Sequence, residues 1–227
     1  RKPFVWGPIG GLENSPWRFL HSLGFKGFLF YAGRNLINLW QRNFLIRPKL
    51  AVKRKDTAVI SATQDNKSLL KKLWAKDSTI ISEVGQESNI SHNINKRIES
   101  EALNIIWSGQ HTAGKNLQLL LKSLKGVNFN FKLHVLGTGE MTSSWKILAD
   151  RIGIQKQIIW HGWVEKSKAF EVLSNGHVFC ITSIKDLTST VTLEALSFGL
   201  PIDKASSVTE ALSFGLPIAC LDHCGFS

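Results

Sequence analysis

Hydrophobic positions in the second half of the chain alternate between short apolar runs and helical spacings. The predicted strands are residues 104–108, 131–136, 157–160 and 177–182. The predicted helices between and after them are residues 117–124, 142–152, 166–174 and 190–198. Strands and helices in alternation with short links predict an α/β fold with a parallel, doubly wound sheet. Ligands of such sheets bind beyond the carboxyl ends of the strands.

The first half of the chain shows a less regular pattern. Strands are predicted at residues 3–6, 57–62 and 78–82, and a helix at 65–74 with Asp65 as its N-cap. Residues 17–47 are mostly helical by pattern, with breaks near Gly24, Gly27 and Gly33 and an end at Pro48. Residues 85–100 are polar and lack periodicity, which is typical of a linker between domains.

Composition places the chain among soluble globular proteins. Of its 227 residues, 43% are hydrophobic and 20% charged, which excludes a disordered tail, a collagen and a coiled coil. Three cysteines exclude a disulfide scaffold and favour a reducing compartment. No apolar run reaches the roughly 18 residues that a membrane span requires.

Positive charge is concentrated near the start of the chain. Residues 1–56 hold eleven Lys and Arg but only two acidic residues, out of 28 and 17 in the whole sequence. Within residues 17–55 the basic side chains are interleaved with Trp, Phe and Leu, which suits the headgroup region of an anionic membrane. A pair of core helices with a solvated basic face is an equal alternative. A nucleic-acid-binding module is a weaker one, because no recognised nucleic-acid motif accompanies the charge.

Three of the loops that follow the predicted strands carry groups suited to a nucleotide diphosphate. Gly109 ends one strand and Lys115 opens the next helix, where a lysine and free backbone N–H groups can meet a phosphate. Gly137 and Gly139 allow the backbone to approach a ligand closely. Each signal alone is weak, because glycine after a strand is usually a turn and lysine is usually solvated.

The loop after the last predicted strand contains two spaced carboxylates. Asp186 precedes Glu194 with seven residues between them, and a helix begins in the same interval. Two carboxylates beside a helix N-terminus can accept hydrogen bonds from sugar and ribose hydroxyls while the helix end binds phosphate. On spacing alone, a loop cap at Asp186 and a solvated surface glutamate at Glu194 are the better explanation of the pair.

Four stretches together resemble a known family. They are Ile105–Lys115, Leu133–Gly139, Ile159–Val164 and Ser183–Ile202. Residues 102–202 resemble the donor-binding half of a family 4 glycosyltransferase of the GT-B fold, the class called glycosyl transferases group 1. Gly7–Gly11 and Ser82–Gly85 resemble late pieces of the acceptor-binding domain of that family.

The resemblance implies a GT-B protein with two Rossmann-like domains, the first incomplete and the second truncated. It divides the chain into an acceptor-binding part at 1–90, a linker at 91–101 and a donor-binding domain at 102–227. It implies a retaining transferase that moves a hexose-type sugar from a nucleotide-diphospho-sugar to a glycan or lipid-linked acceptor in cell-surface polysaccharide synthesis. The donor is the substrate, and no metal or other cofactor is expected. We therefore expect a cytoplasmic protein, peripheral to the inner face of the membrane.

The resemblance also assigns roles to residues. Asp186 and Glu194 are the expected catalytic pair, Asp186 on hydroxyls of the transferred sugar and Glu194 on the ribose. Lys115 is expected on the diphosphate, and Trp163 and Val164 near the base. The full expected donor-binding set is Gly109, His111, Lys115, Gly137, Gly139, Trp163, Val164, Thr188, Ser189 and Thr190.

Two features depart from the family pattern. Many members place Arg just after the first glycine, where this chain has Gln110 followed by His111, so one expected positive charge is missing. The nine residues Glu194–Ile202 recur as Glu210–Ile218, which suggests a recent duplication or a sequence-assembly fault, with two copies competing for one structural position. An inactive nucleotide-binding remnant is therefore the alternative to an active transferase.

Overall fold

The computed structural model describes residues 2–81, 83, 101–185 and 190–197. They divide into two compact units. The first comprises the described residues through 83 together with Lys185, and the second comprises residues 101–184 and 190–197. The predicted linker at 91–101 lies almost wholly outside the described residues, as does the second copy of the repeat, so the predicted domain boundaries stay predictions.

The first unit contains a parallel three-stranded sheet in the order β1-β2-β3. Its strands are β1 (Phe4–Ile9), β2 (Thr57–Ser61) and β3 (Thr79–Ile80). Its helices are α1 (Trp17–Leu20), α2 (Gly24–Phe44), α3 (Ile46–Lys53) and α4 (Gln64–Trp74), with a 3₁₀ turn at His21–Leu23. Its hydrophobic core is small and consists of Leu12, Val52, Val59, Leu70 and Trp74.

Three details of the first unit correct the sequence predictions. Helix α2 runs through Gly27 and Gly33 without a break, because the roughly 1 kcal/mol cost of a helical glycine is small beside tertiary contacts. Pro48 does not end the helical region but lies in the first turn of α3, where a missing N–H costs no helical hydrogen bond. Thr63, not Asp65, caps α4, since its Oγ1 accepts a hydrogen bond from the Asn66 N–H at 3.1 Å.

The second unit contains a parallel four-stranded sheet in the order β6-β5-β4-β7. Its strands are β4 (Leu103–Ser108), β5 (Phe131–Leu136), β6 (Ile158–Gly162) and β7 (Val178–Phe179). Its helices are α5 (Leu117–Ser123), α6 (Thr142–Arg151), α7 (Lys166–Ser174) and α8 (Thr190–Ser197). The predicted strand–helix alternation is confirmed, although β7 is shorter than the predicted 177–182.

Alternate residues of the strands feed two hydrophobic clusters. Ile105, Trp107 and Leu133 belong to one cluster with α5 and α6, whereas Ile106 and Leu136 belong to the other with α7 and α8. A parallel sheet buried on both faces explains why its strands are almost continuously apolar. The polar residues are thereby left to the loops at the strand ends.

Candidate functional site

The candidate site lies at the carboxyl ends of the four strands of the second unit. Because the strands are parallel, the loops after β6, β5, β4 and β7 emerge at one edge of the sheet in that order. Backbone hydrogen bonds join neighbouring loops. Gly109 N donates to Leu136 O at 3.2 Å, His111 N to Thr138 O at 3.0 Å, and Gly137 N to Gly162 O at 2.7 Å. The structure thus brings together Gly109, His111, Gly137 and Gly139 of the predicted set.

Gly137 and Gly139 are required by backbone packing inside this cluster of loops. A Cβ on Gly137 would lie 2.1 Å from the carbonyl oxygen of Gly109, and Gly137 has φ +106°. A Cβ on Gly139 would lie 2.6 Å from the carbonyl oxygen of His111. Both distances exclude a side chain. These glycines therefore hold two loops in backbone contact, whatever else they touch.

The His111 side chain is 1% exposed and packs between loops. Its Nδ1 lies 2.8 Å from Thr142 Oγ1, and its ring contacts those of Trp107, Trp145 and Trp160. Burial, followed by a smaller effect of the Lys146 charge, lowers the pKa of this imidazole, although a backbone contact at Leu136 opposes the shift. The ring is therefore neutral at pH 7 and supplies no positive charge in place of the missing arginine. Its role in donor binding stays a prediction.

The backbone at Lys115 is held by hydrogen bonds from the segment that follows β7. Lys115 ends a 3₁₀ turn at Ala113–Lys115, and its carbonyl oxygen accepts a hydrogen bond from Thr182 Oγ1 at 2.7 Å. Thr182 Oγ1 in turn accepts from Trp107 Nε1 at 2.9 Å. The Ile184 N–H donates to Gly114 O at 2.9 Å. The loop after β7 is thereby tied to the loop that carries Lys115.

Glu194 lies on α8, whose first residue is the exposed Thr190. Glu194 Oε1 is 3.4 Å from Lys166 Nζ, with the carboxylate side chain 21% exposed. Val164 packs against the second hydrophobic cluster, whereas Trp163 is 75% exposed. The structure thus gives Glu194 a basic neighbour on α7 and leaves the Trp163 indole available to a ligand.

Three of the predicted site residues, Asp186, Thr188 and Ser189, lie outside the described residues. The pairing of Asp186 with Glu194 therefore stays a prediction.

Sequence reasoning missed Thr142, Thr182 and Lys166. Thr142 Oγ1 accepts from Gly139 N at 3.1 Å and donates to Gly139 O at 2.8 Å, while also contacting His111. A threonine at the start of a helix is a common capping signal and could have been noticed. Thr182 and Lys166 carry no local signal, because their partners are distant in sequence.

Comparison with solved structures assigns the class of protein. WaaG, a glycosyltransferase involved in lipopolysaccharide biosynthesis, superposes with a TM-score of 0.60 at 13% identity over 99% of this chain and 66% of WaaG. The apo form of WaaB, a lipopolysaccharide outer core galactosyltransferase, superposes with a TM-score of 0.56 at 18% identity over 64% of this chain and 42% of WaaB. A point mutant of S. aureus TarM, in complex with UDP, alpha-GlcNAc-glycerol and fondaparinux, superposes with a TM-score of 0.51 at 18% identity. The match covers 63% of this chain and 29% of TarM. The fold is that of the GT-B glycosyltransferases.

The family follows from the sequence. The family model described as "Glycosyl transferases group 1" matches residues 90–202, about half of the chain, and the chain belongs to this family. The lipopolysaccharide 1,6-galactosyltransferase of Escherichia coli K12 is 29% identical over 124 residues, which cover 49% of this chain and 32% of that protein. An uncharacterized glycosyltransferase of Methanocaldococcus jannaschii is 26% identical over 157 residues, which cover 63% of this chain and 38% of that protein. The chain thus spans about a third of the length of these relatives.

Proposed function

We propose that the protein transfers a hexose-type sugar, with retention, from a nucleotide-diphospho-sugar to a glycan or lipid-linked acceptor in cell-surface polysaccharide synthesis. The observation that carries this proposal is the cluster of loops at one sheet edge, where Gly137 and Gly139 bring backbones together next to the loop that carries Lys115. Membership of the group 1 family supports transferase activity. The donor enters as substrate, and the proposal includes no metal or other cofactor.

The proposed roles follow the chemistry of each group. Lys115 neutralises the diphosphate, Glu194 accepts hydrogen bonds from ribose hydroxyls, and Trp163 stacks near the base. Thr190 and the preceding residues Thr188 and Ser189 offer donors to phosphate at the start of α8, and Asp186 accepts from hydroxyls of the transferred sugar. The chief contribution of the protein to the rate is electrostatic stabilisation of the departing diphosphate.

The binding step is tested by thermal unfolding of the chain with UDP, GDP, ADP and their sugar conjugates. UDP is the first choice, because the TarM structure contains it. A ligand at about 100 times its dissociation constant adds about 2.7 kcal/mol to the free energy of unfolding. We expect a shift with one nucleotide that is lost in Glu194→Ala.

The matched control is Glu171→Ala, which also removes a carboxylate paired with a lysine of α7, here Lys168 at 2.7 Å. This variant should retain the full nucleotide shift. A cooperative transition that no nucleotide moves would overturn the proposal.

An inactive nucleotide-binding remnant is the second candidate, and a specific observation favours it. The exposed Gln110 and the neutral His111 leave Lys115 as the remaining cation of the motif for the diphosphate. Nucleotide binding without release of nucleotide from its sugar conjugate, in the presence of acceptor, would favour the remnant. Release above the uncatalysed rate would favour the transferase.

We further propose that residues 17–55 contact an anionic membrane surface. Helices α2 and α3 expose many large apolar side chains, and no Asp or Glu occurs between Glu13 and Asp56. Such a surface combines insertion of apolar groups with attraction to anionic lipids. In the part of the chain that the structure describes, no helix has the length and apolar character needed to cross a bilayer.

Liposome flotation tests this surface. Binding to vesicles with an anionic lipid should fall as salt rises, and should fall further when the exposed Lys26, Arg47 and Lys53 become Glu. Arg42 is left unchanged, because its guanidinium donates to Leu12 O at 3.0 Å and serves the fold. Unchanged flotation of the triple variant, or equal binding to generic duplex DNA, would count against a membrane surface.

A further inference from the structure

Helix α2 presents the amide side chains of Asn35 and Asn38 to the protein and most of its large apolar side chains to solvent. On the buried side, Asn35 makes two hydrogen bonds to the Ser15 backbone, and Asn38 donates to Leu12 O and Glu13 O. On the opposite side stand exposed apolar residues, namely Phe25, Leu29, Phe30, Leu36, Ile37, Trp40 and Phe44. This arrangement reverses the usual orientation of an amphipathic helix.

A cleft of about 150 Å³ lies between α2 and the loop 11–15 within the first unit. Polar and charged side chains of both elements line it, together with Lys185, which belongs to the same unit. The charged groups are Arg34, Lys185 and Glu13, a formal excess of one positive charge. A cleft of this volume and lining suits a small anionic group.

Two cations are held near each other in this cleft. Lys185 Nζ donates to the Glu13 carbonyl oxygen at 2.6 Å. Burial lowers the pKa of Lys185, and the Arg34 charge lowers it further, whereas the Glu13 carboxylate opposes the shift. The two like charges repel, and an anion bound between them would relieve that repulsion.

The Glu13 carboxylate is engaged on the other side, by α4 and its cap. Its Oε1 accepts hydrogen bonds from Thr63 Oγ1 at 2.5 Å and from Asn66 Nδ2. Among the described residues, Arg34 has neither a hydrogen bond nor an ion pair to its guanidinium. Its five donors are therefore available to a ligand, and a guanidinium beside an ammonium group is well suited to phosphate.

An apolar stripe runs along the rim of this cleft. Phe30, Ile37 and Phe44 follow each other at intervals of seven residues, so they lie on one line of the helix surface. They are 63%, 58% and 67% exposed, and Ile37 also lines the cleft. A ligand whose charged end occupies the cleft can therefore lay a hydrocarbon chain along the stripe.

We propose that the cleft binds the phosphate head group of a lipid whose hydrocarbon chain lies along Phe30, Ile37 and Phe44. The cations select the phosphate, and the stripe selects a lipid over a free phosphate. Binding stands on the geometry of the first unit alone. The role of this lipid as the sugar acceptor rests on the proposed function.

Isothermal titration calorimetry on the 227-residue chain tests the proposal with three probes below micelle-forming concentration. Farnesyl monophosphate carries both features, inorganic phosphate carries the head group alone, and farnesol carries the chain alone. We expect farnesyl monophosphate to bind at least about tenfold more tightly than either of the others. Equal binding of inorganic phosphate, or no binding of farnesyl monophosphate, would overturn the proposal.

Variants separate the two parts of the site. Arg34→Gln and Ile37→Ser should each weaken binding of farnesyl monophosphate about tenfold. Lys72→Gln on α4 and Ile147→Ser on α6, which are exposed controls outside residues 17–55, should not. Equal loss in the controls would indicate non-specific adsorption and contradict a defined cleft.

Two further measurements keep the result interpretable. Thermal melts followed by circular dichroism test whether each variant is folded. The shift in thermal unfolding caused by nucleotide should be unchanged in Arg34→Gln. Failure of the lipid site is thereby distinguishable from failure of the donor site. Sedimentation of the unliganded chain detects a second copy on the stripe. A dimer that Ile37→Ser dissociates would overturn the lipid as occupant.

Discussion

The indole N–H of Trp107 donates to the hydroxyl of Thr182 at 2.9 Å, and that hydroxyl donates onward to the Lys115 carbonyl at 2.7 Å. One side chain thereby links strand β4, the segment after β7 and the turn that carries Lys115. The Thr182 oxygen is both acceptor and donor, so no apolar replacement preserves either bond.

Thr182→Val should destabilise the second unit by about 1–3 kcal/mol, because it leaves the buried Trp107 N–H and the Lys115 carbonyl without this partner. Thr182→Ser keeps the hydroxyl and should lose less. Urea denaturation of both variants measures the difference. We expect Thr182→Val also to weaken nucleotide binding, since the Lys115 backbone loses its anchor, and equal stability of the two variants would refute the linkage.

Gly137→Ala should destabilise the chain by about 3 kcal/mol, through the combined cost of a left-handed residue and of overpacking. Its new Cβ would meet the Gly109 carbonyl at 2.1 Å. Gly153→Ala is the matched control, because Gly153 also has a positive φ, +80°, but has open space around its Cβ position. Its cost should stay near about 1–2 kcal/mol. Chemical denaturation compares the two, and similar losses would mean that the loops separate to admit a methyl group.

Asn35→Ala should cost the first unit about 2–3 kcal/mol, because two backbone groups lose their partner. Asn35 is 2% exposed, and its side chain accepts a hydrogen bond from the Ser15 N–H at 2.9 Å and donates to the Ser15 carbonyl at 2.7 Å. The substitution removes both bonds. Asn43→Ala is the control on the same helix, since the Asn43 side chain is exposed and, among the described residues, donates only to Leu39 O of its own helix. Thermal unfolding should show a loss for Asn35→Ala and almost none for Asn43→Ala.

Acid should destabilise the second unit through three histidines. Burial is the main cause that lowers the pKa of His111, His134 and His161, and His134 Nδ1 lies 3.0 Å from His161 Nε2. The unfolded chain, with histidine pKa values near about 6.5, then binds protons more readily than the folded one. Full stability is present above that pH and is lost as the pH falls towards the lower folded-state values.

Thermal unfolding between about pH 8 and pH 5 measures this dependence. His161→Gln should flatten the profile, because it removes one titrating ring and the repulsion that a second proton on the pair would create. A slope that His161→Gln does not alter would contradict a role for the pair.

Hydrophobic periodicity predicted the second unit well because its sheet is buried on both faces. Runs such as Phe131–Leu136 have no competing interpretation once helices flank them. The first unit was harder, since α2 is held by amide side chains rather than by its apolar face. The usual assumption that leucine and phenylalanine face the hydrophobic core therefore predicts the wrong buried face for α2.

The candidate site was predictable only in part for a related reason. Glycines after strands mark loops that approach each other, and Gly137 fulfils that expectation through its contact with Gly109. The sequence cannot show that His111 is enclosed by three tryptophans, because those residues come from separate elements. From residue type alone, His111 could have supplied the positive charge of the missing arginine. Its burial lowers the pKa of the imidazole and keeps the ring neutral.

The outward-facing apolar side of α2 also has a thermodynamic consequence. The heat-capacity change of unfolding arises mainly from apolar surface that becomes hydrated, and much of this helix is already hydrated in the folded protein. The first unit should therefore unfold with a smaller heat-capacity change per residue than the second. Its stability curve is flatter as a result, so cooling should weaken the second unit before the first.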